Sequence, residues 1–321
     1  MKVFITGGAG FIGSEFARSA LDGKLKEFDI EPSELIVYDA LTYAGNLKNL
    51  SSLEKDVRFR FIQGNICDPD LGKHVPESCD LLINFAAESH VDRSISNSSI
   101  FIQTNVLGTQ NILEVVKDKK VKKVIQISTD EVYGSIPEGS WDENYPLSPN
   151  SPYAASKASA DLIALSYFKT HSVPVVITRC SNNYGPYQFI EKLIPLFITN
   201  LMSGRKVPLY GNGKNIREWI HVSDHVRGIG YAYKYGYDGE IYNIAGDVEL
   251  TNIEITQKIL QILDLDSSMI SYVADRKGHD LRYSLNDKKI RALGFKNKVD
   301  FSSGLLETIS WYKANPEFYT L

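Results

Sequence analysis

Lys2-Val3-Phe4-Ile5-Thr6-Gly7-Gly8-Ala9-Gly10-Phe11-Ile12-Gly13 lies at the start of the chain. A short apolar run leads into a glycine-rich turn, and helical periodicity follows over Phe11–Leu21. Gly7, Gly10 and Gly13 carry no Cβ, so the backbone can approach a pyrophosphate, and a helix N-terminus supplies N–H donors and a positive dipole end. A glycine-rich turn can also do no more than pack a helix on a sheet. The strand–turn–helix context favours a dinucleotide site. The run is too short for a secretory leader and reads as a strand.

Outward from this unit, similar apolar runs recur at Val3–Thr6, Leu35–Tyr38, Val57–Ile62, Leu81–Phe85, Val124–Ser128, Val175–Thr178 and Ile241–Ile244. They are apolar on both faces, as strands buried between two helix layers must be. Helical patterns fall between and after them, at Phe11–Leu21, Phe101–Val116, Ala154–Lys169, Ser223–Lys234, Asn252–Leu263 and Phe301–Lys313. The alternation predicts an α/β fold, a Rossmann-type doubly wound parallel sheet with a smaller, mixed C-terminal lobe. We expect residues 1–183 and 222–248 to form the nucleotide-binding domain. Residues 184–221, rich in Gly, Pro, Asn and aromatics, and 249–321 are expected to form the second domain.

The 321 residues carry a net charge of −4, which gives no electrostatic case for nucleic acid. No apolar run is long enough to span a membrane. Cys67, Cys79 and Cys180 show no metal-ligand spacing and suit free thiols of a cytoplasmic protein. The six histidines form no metal-binding helix pair, so no metal is expected.

Asp39 closes the second strand, where a carboxylate accepts hydrogen bonds from ribose hydroxyls and repels a 2′-phosphate, which favours NAD over NADP. Asn65, after the third strand, is placed to meet an adenine edge or simply to make a turn. Ser128-Thr129-Asp130-Glu131-Val132-Tyr133-Gly134 follows the fifth strand, and Tyr153 and Lys157 stand four apart on the next helix. A tyrosinate beside an ammonium can take the proton of an alcohol whose carbon loses hydride, with Thr129 bonded to the same oxygen. Oxidation acidifies the neighbouring C–H. A carboxylate and a carboxylic acid, Asp130 and Glu131, can then remove that proton and protonate a departing hydroxyl. Few reactions need both sets.

The glycine motif, Asp39–Asn46, Phe85–Arg93, Ser128–Gly134, Tyr153-x-x-x-Lys157 and Arg179–Gln188 occur in that order. Glu191–Pro195, Pro208–Gly213, Asn215–His221 and Asp275–Tyr283 follow. Over almost the whole chain this set resembles the dTDP-glucose 4,6-dehydratases, members of the extended short-chain dehydrogenase/reductase family. The resemblance implies one resident NAD and dTDP-glucose as substrate. Tyr153 would take the C4 hydroxyl proton, Glu131 the C5 proton, and Asp130 would protonate the leaving C6 hydroxyl. It carries cofactor contacts onto Gly7, Gly10, Phe11, Ile12, Gly13, Asp39, Asn65, Ile66, Ala86, Tyr153, Lys157 and the neighbourhood of Asn182. Substrate contacts fall on Ser89, Asn182, Glu191, Lys192, Leu193, Pro208, Tyr210, Arg217, Asn252 and His279. Lys192 and Arg217 are cations suited to a diphosphate, and Tyr210 offers a ring to a base.

Two departures stand out: Asn65 where the family has Asp, and Ile190 where it often has Pro. The family also implies a homodimer through helices at about 98–117 and 154–169. The second helix has Ala154, Ala158, Leu162 and Leu165 at helical spacing. Two alternatives compete. One is an enzyme of another sugar nucleotide, such as a UDP-glucose dehydratase or a related epimerase, though the Asp130–Glu131 pair argues against simple epimerisation. The other is a non-catalytic NAD-binding sensor, which would have no need of the Tyr153–Lys157 pair.

Overall fold

A computed structural model describes residues 1–276 and 278–319. Lys277, within the Asp275–Tyr283 motif, and residues 320 and 321, at the end of the expected second domain, lie outside the described residues.

The apolar runs become strands β1 (Lys2–Thr6), β2 (Glu34–Asp39), β3 (Phe59–Gln63), β4 (Leu81–Asn84), β5 (Val124–Thr129) and β6 (Val175–Cys180). Three short strands follow, β7 (Asn182–Tyr184), β8 (Val207–Tyr210) and β9 (Ile216–His221). The last three are β10 (Ile241–Ile244), β11 (Val248–Thr251) and β12 (Ile270–Val273). Seven strands form one sheet in the order β10-β6-β5-β4-β1-β2-β3, and every pair in it is parallel. Successive side chains of a strand point to opposite faces. Val3, Ile5, Leu35, Val37, Leu81 and Ile83 therefore enter one core, while Phe4, Ile36, Leu82, Val124, Val175 and Ile177 enter the other. Both faces are covered by helices, which is why the inner strands are largely apolar on both faces, while the edge strand β3 exposes Arg60 and Gln63.

The helices are α1 (Phe11–Leu21), α2 (Val91–Ser96), α3 (Ser99–Phe101), α4 (Thr109–Lys119), α5 (Pro152–His171) and α6 (Leu193–Met202). Then come α7 (Val222–Tyr235), α8 (Asn252–Ile262), α9 (Lys288–Ala292) and α10 (Phe301–Ala314). A π-helical stretch, Ile102–Gly108, joins α3 to α4, so the helix expected from Phe101 begins at Ser99 and continues to Lys119. The predicted third strand is corrected at its start. Val57 is 100% exposed and the strand begins at Phe59, because β3 is a sheet edge whose ladder to β2 begins at the Leu35–Phe59 pair. The fourth strand ends at Asn84, one residue short of Phe85.

The segment 184–221, rich in Gly, Pro, Asn and aromatics, contains α6, β8 and β9. Strands β11, β9 and β7 form a three-stranded sheet, and β12 pairs with β8. A third core of Phe197, Ile198, Leu209, Ile259, Leu305 and Ile309, among others, lies among these elements and α10. The α7 side chains Val226, Ile229 and Ala232 belong instead to the core over the large sheet. The stripe at helical spacing on α5 divides. Ala154 and Ala158 are buried, Leu165 is half-buried and Leu162 is exposed. Among the described residues no helix is long and apolar enough to cross a membrane.

Candidate active site

Parallel pairing sends the C-terminal ends of all seven strands to one edge of the sheet, where a ligand crevice forms at the reversal of strand order. Here β1 lies between β2 and β4. A cleft of about 1820 Å³, its open mouth included, runs along this edge. It is lined by Gly7, Gly10, Phe11, Ile12 and Gly13, by Asp39, Asn65, Ile66 and Ala86, and by Thr129, Glu131, Tyr153 and Lys157. Ser89, Asn182, Glu191, Lys192 and Leu193 line it as well.

The glycines are required by close approach. Gly7 has φ +68°, and a Cβ there would lie 2.4 Å from the Ala86 nitrogen. A Cβ on Gly13 would lie 2.5 Å from the Gly7 carbonyl oxygen. No side chain caps α1, so its first N–H groups face the cleft as free donors. Asp39 accepts from the Ala9 N–H at 2.9 Å and the Leu41 N–H at 2.8 Å. Burial pushes its carboxyl up against those two bonds. The Asn65 amide oxygen accepts from the Cys67 N–H at 2.9 Å, so it makes the turn and also borders the cleft. An acceptor for adenine at this position would share that oxygen. Ile190, the second departure, packs against the third core.

Ser151 caps α5 by accepting from the Ala154 N–H, and Pro152 occupies the first turn. That start sets Tyr153 and Lys157 against the end of β5. Lys157 Nζ donates to the Ile127 carbonyl at 2.6 Å, and burial holds its amine below the usual lysine range. Thr129 donates to Asp130 Oδ1 at 3.1 Å and accepts from the Glu131 N–H at 3.3 Å. Asp130 is 2% exposed and sits behind the cleft wall; burial, then the nearby Glu131, pushes its carboxyl up to about 8. Burial raises Glu131 as well, against Lys192 and Arg217. Tyr153 is raised well above the usual phenol range by burial and then by Glu131, with a Thr129 hydrogen bond opposing. The sequence argument gave Lys157 the task of favouring tyrosinate. In the protein alone, burial and the carboxylates outweigh any such effect.

Lys192 Nζ donates to the Ser89 carbonyl at 2.7 Å, and Arg93 lies 3.4 Å from Glu191. Pro208, Tyr210, Arg217, Asn252 and His279 do not line the main cleft. Arg217 donates to the Asp280 carbonyl at 3.0 Å, stacks 4.2 Å from the Tyr283 ring and acts electrostatically on both Asp130 and Glu131. Tyr210 meets His279 edge-on at 6.2 Å, and Arg276 lies 5.0 Å over the Tyr210 ring. Asn252 opens α8 with its amide oxygen buried and unpartnered, and Pro208 sits in the β8–β12 ladder opposite Ser271.

Sequence reasoning missed several residues here. Arg276, Tyr43 and Arg93 stand inside quoted motifs, and their charge or ring was the available signal. Tyr43 carries the Arg93 guanidinium 3.8 Å above its ring and touches Phe189, which lines the cleft, so two loops are tied to α2 there. Trp219, whose indole N–H is buried without a partner, and Cys180 also line the cleft; they too stand inside quoted motifs, but neither was read as a site residue. Among the described residues no group of three or more His, Cys, Asp or Glu is arranged to hold a metal ion.

The residues present fit a dinucleotide. Gly7 and Gly13 let the turn close on Ala86 and on the Gly7 carbonyl where a Cβ would clash, which brings backbone to the cleft floor as a diphosphate needs, and Asp39 stands at the end of β2, where a ribose would lie. Comparison with known proteins agrees. The sequence model of the family described as GDP-mannose 4,6 dehydratase matches residues 4–308. A Streptomyces niveus protein named dTDP-glucose 4,6-dehydratase is 51% identical over 98% of this chain and 94% of its own length. The crystal structure of DesIV, a dTDP-glucose 4,6-dehydratase from Streptomyces venezuelae with NAD and TYD bound, superposes with a TM-score of 0.97 at 53% identity, covering 99% of both chains. A Bacillus anthracis dTDP-glucose 4,6-dehydratase in complex with NAD gives a TM-score of 0.90 at 46% identity, covering 99% of this chain and 98% of that one.

Proposed function

The chain belongs to the GDP-mannose 4,6-dehydratase family, and from that premise we propose that it is an NAD-dependent hydro-lyase converting dTDP-glucose to dTDP-4-keto-6-deoxyglucose for deoxysugar biosynthesis. The observation that carries the reading is the meeting of Thr129, Asp130 and Glu131 with Tyr153 and Lys157 beside a dinucleotide cleft. Bound NAD accepts hydride from C4 and returns it to C6, and its positive ring also favours an ionised Tyr153.

The protein's own residues then move protons. Tyr153 takes the proton of the C4 hydroxyl, with Thr129 bonded nearby. Glu131, which borders the cleft, removes the C5 proton made acidic by the new ketone and gives it back to C5 when hydride enters C6. Asp130 keeps its proton at neutral pH because it is buried beside Glu131, and it gives that proton to the departing C6 hydroxyl. Lys192 and Arg217, with Arg276, surround Glu131 with positive charge suited to the sugar nucleotide's diphosphate. Tyr210 and His279 offer ring faces to its base. Gly7, Gly10, Phe11, Ile12, Gly13, Asp39, Asn65, Ile66 and Ala86 hold the cofactor. In this reading residues 1–183 and 222–248 carry NAD, and 184–221 and 249–321 carry the sugar nucleotide.

The active form is a homodimer. The helical run 99–119 and α5 leave Ile100, Ile102, Leu107 and Leu162 41–59% exposed, an apolar face suited to a second copy. A cytoplasmic setting is consistent with three free cysteines. The test is incubation of the purified protein with dTDP-glucose, and separately with UDP-glucose, without added NAD. Loss of one water mass from dTDP-glucose alone is the expected result. Loss from UDP-glucose alone would move the base preference. No turnover of either, even with NAD supplied, would move the weight to a different sugar nucleotide or to the sensor reading.

A further inference from the structure

Tyr153, Lys157 and Asp161 lie four residues apart along one face of α5. Asp161 is 0% exposed. Its Oδ2 accepts from Ser128 Oγ at 3.0 Å and from Arg179 Nε at 2.9 Å, while Oδ1 is buried with no hydrogen-bond partner. Arg179 is itself fixed, 2% exposed and 4.7 Å from the Tyr133 ring. Above this pair, Lys157 is 5% exposed and makes one hydrogen bond, to the Ile127 carbonyl.

We propose that Asp161 is a positioning residue of the proton-transfer step: its buried carboxylate is the counter-charge that keeps Lys157 an ammonium beneath Tyr153. The proposal rests on the functional reading above only for what Tyr153 does. An ammonium held by one carbonyl in a water-free interior otherwise gives up its proton. Arg179 and Ser128 anchor one oxygen of Asp161 and leave the other uncommitted. The groups facing Tyr153 and Lys157 agree with this assignment. From the β5 end come Asp130 and Glu131, which act on Tyr153, and from β6 comes Cys180, raised to about 12 and so a neutral thiol. The helix 99–119 presents Phe101 to Tyr153 and Asn105 to Ser156, and the Glu114 carboxylate meets α5 only at its far end, at Tyr167. Asp161 is the group that most opposes the effect of burial on Lys157.

The test reads the ionisation of Lys157 directly, as the side-chain NMR titration that disappears in Lys157→Met, on protein as purified and without substrate. In Asp161→Asn, Lys157 loses its proton at a pH lower by about one unit or more. Asp161→Glu restores the titration toward that of the parent. Where Asp161→Asn does not fold, the double variant Asp161→Asn/Arg179→Gln removes both charges together, and neutralising a buried pair in this way is tolerated better than orphaning one partner. It is expected to move Lys157 in the same direction. Titrations that coincide with the parent while the melting temperature falls would reduce Asp161 to a fold-holding residue. A shift of Lys157 to higher pH would mean that Asp161 is not its counter-charge, and would also overturn the proposal. Because no sugar nucleotide enters the measurement, failure of the dehydratase assay leaves this result standing.

Discussion

Glu131→Gln keeps the size and polarity of the side chain but removes the base that takes the C5 proton. Oxidation at C4 needs Tyr153 and continues. The variant mixed with dTDP-glucose is therefore expected to build up the absorbance of reduced nicotinamide and to lose keto-deoxy product by a factor on the order of 10²–10⁴. Normal elimination in this variant would remove Glu131 from its role. Asp130 gives the pH dependence. Its carboxyl is raised to about 8, so it is protonated at neutral pH and loses its proton as pH rises through that value. Water loss should decline on the alkaline side of about 8 while C4 oxidation does not, and rapid-quench measurement of both steps across pH separates them. The residues carrying these roles were legible because they lie in two short motifs. Arg276 and Trp219 were harder to see, since each matters only through where the second lobe sets it.

Packing of whole elements explains what the sequence revealed and what it hid. The inner strands of the large sheet are apolar on successive residues, which point in turn to two cores, a pattern visible without partners. By contrast β7, β8 and β11 are only three or four residues long, and their partners are distant in sequence. Helix α6 was missed because Leu-Ile-Pro-Leu-Phe-Ile-Thr-Asn-Leu-Met is apolar nearly all round and carries Pro195 near its start. Proline is tolerated in a first turn, where the N–H has no intrahelical partner. The turn between β1 and α1 gives a sharper test. A methyl group on Gly13 meets the Gly7 carbonyl backbone, which cannot give way as a flexible side chain does. Gly13→Ala is expected to purify with little or no bound NAD and with a lower melting temperature. A full complement of NAD, read from the absorbance of denatured protein, would show that the floor can shift.

At the scale of the molecule, α5 and its neighbouring helix leave an apolar face exposed. Leu162→Glu, placed where the side chain is 59% exposed, should not disturb the monomer's core. It is expected to turn a dimer into a monomer by light scattering, with a melting temperature that no longer rises with concentration. A dimer that survives Leu162→Glu together with Leu107→Glu would place the interface elsewhere.

The third core joins Tyr184 and Ile198 to Phe301, Leu305, Ile309 and Tyr312, although a hundred residues of chain intervene. During synthesis, the last strand of the large sheet, ending at Ile244, leaves the ribosome well before α10 does. The nucleotide floor can thus settle while the sugar side still lacks its final helix. A chain halted at residue 300 should resist protease across the large sheet and be cut within 184–221; equal digestion of both would show that they form together. The enzyme matures in the order in which it uses its ligands, the lasting one first and the passing one last.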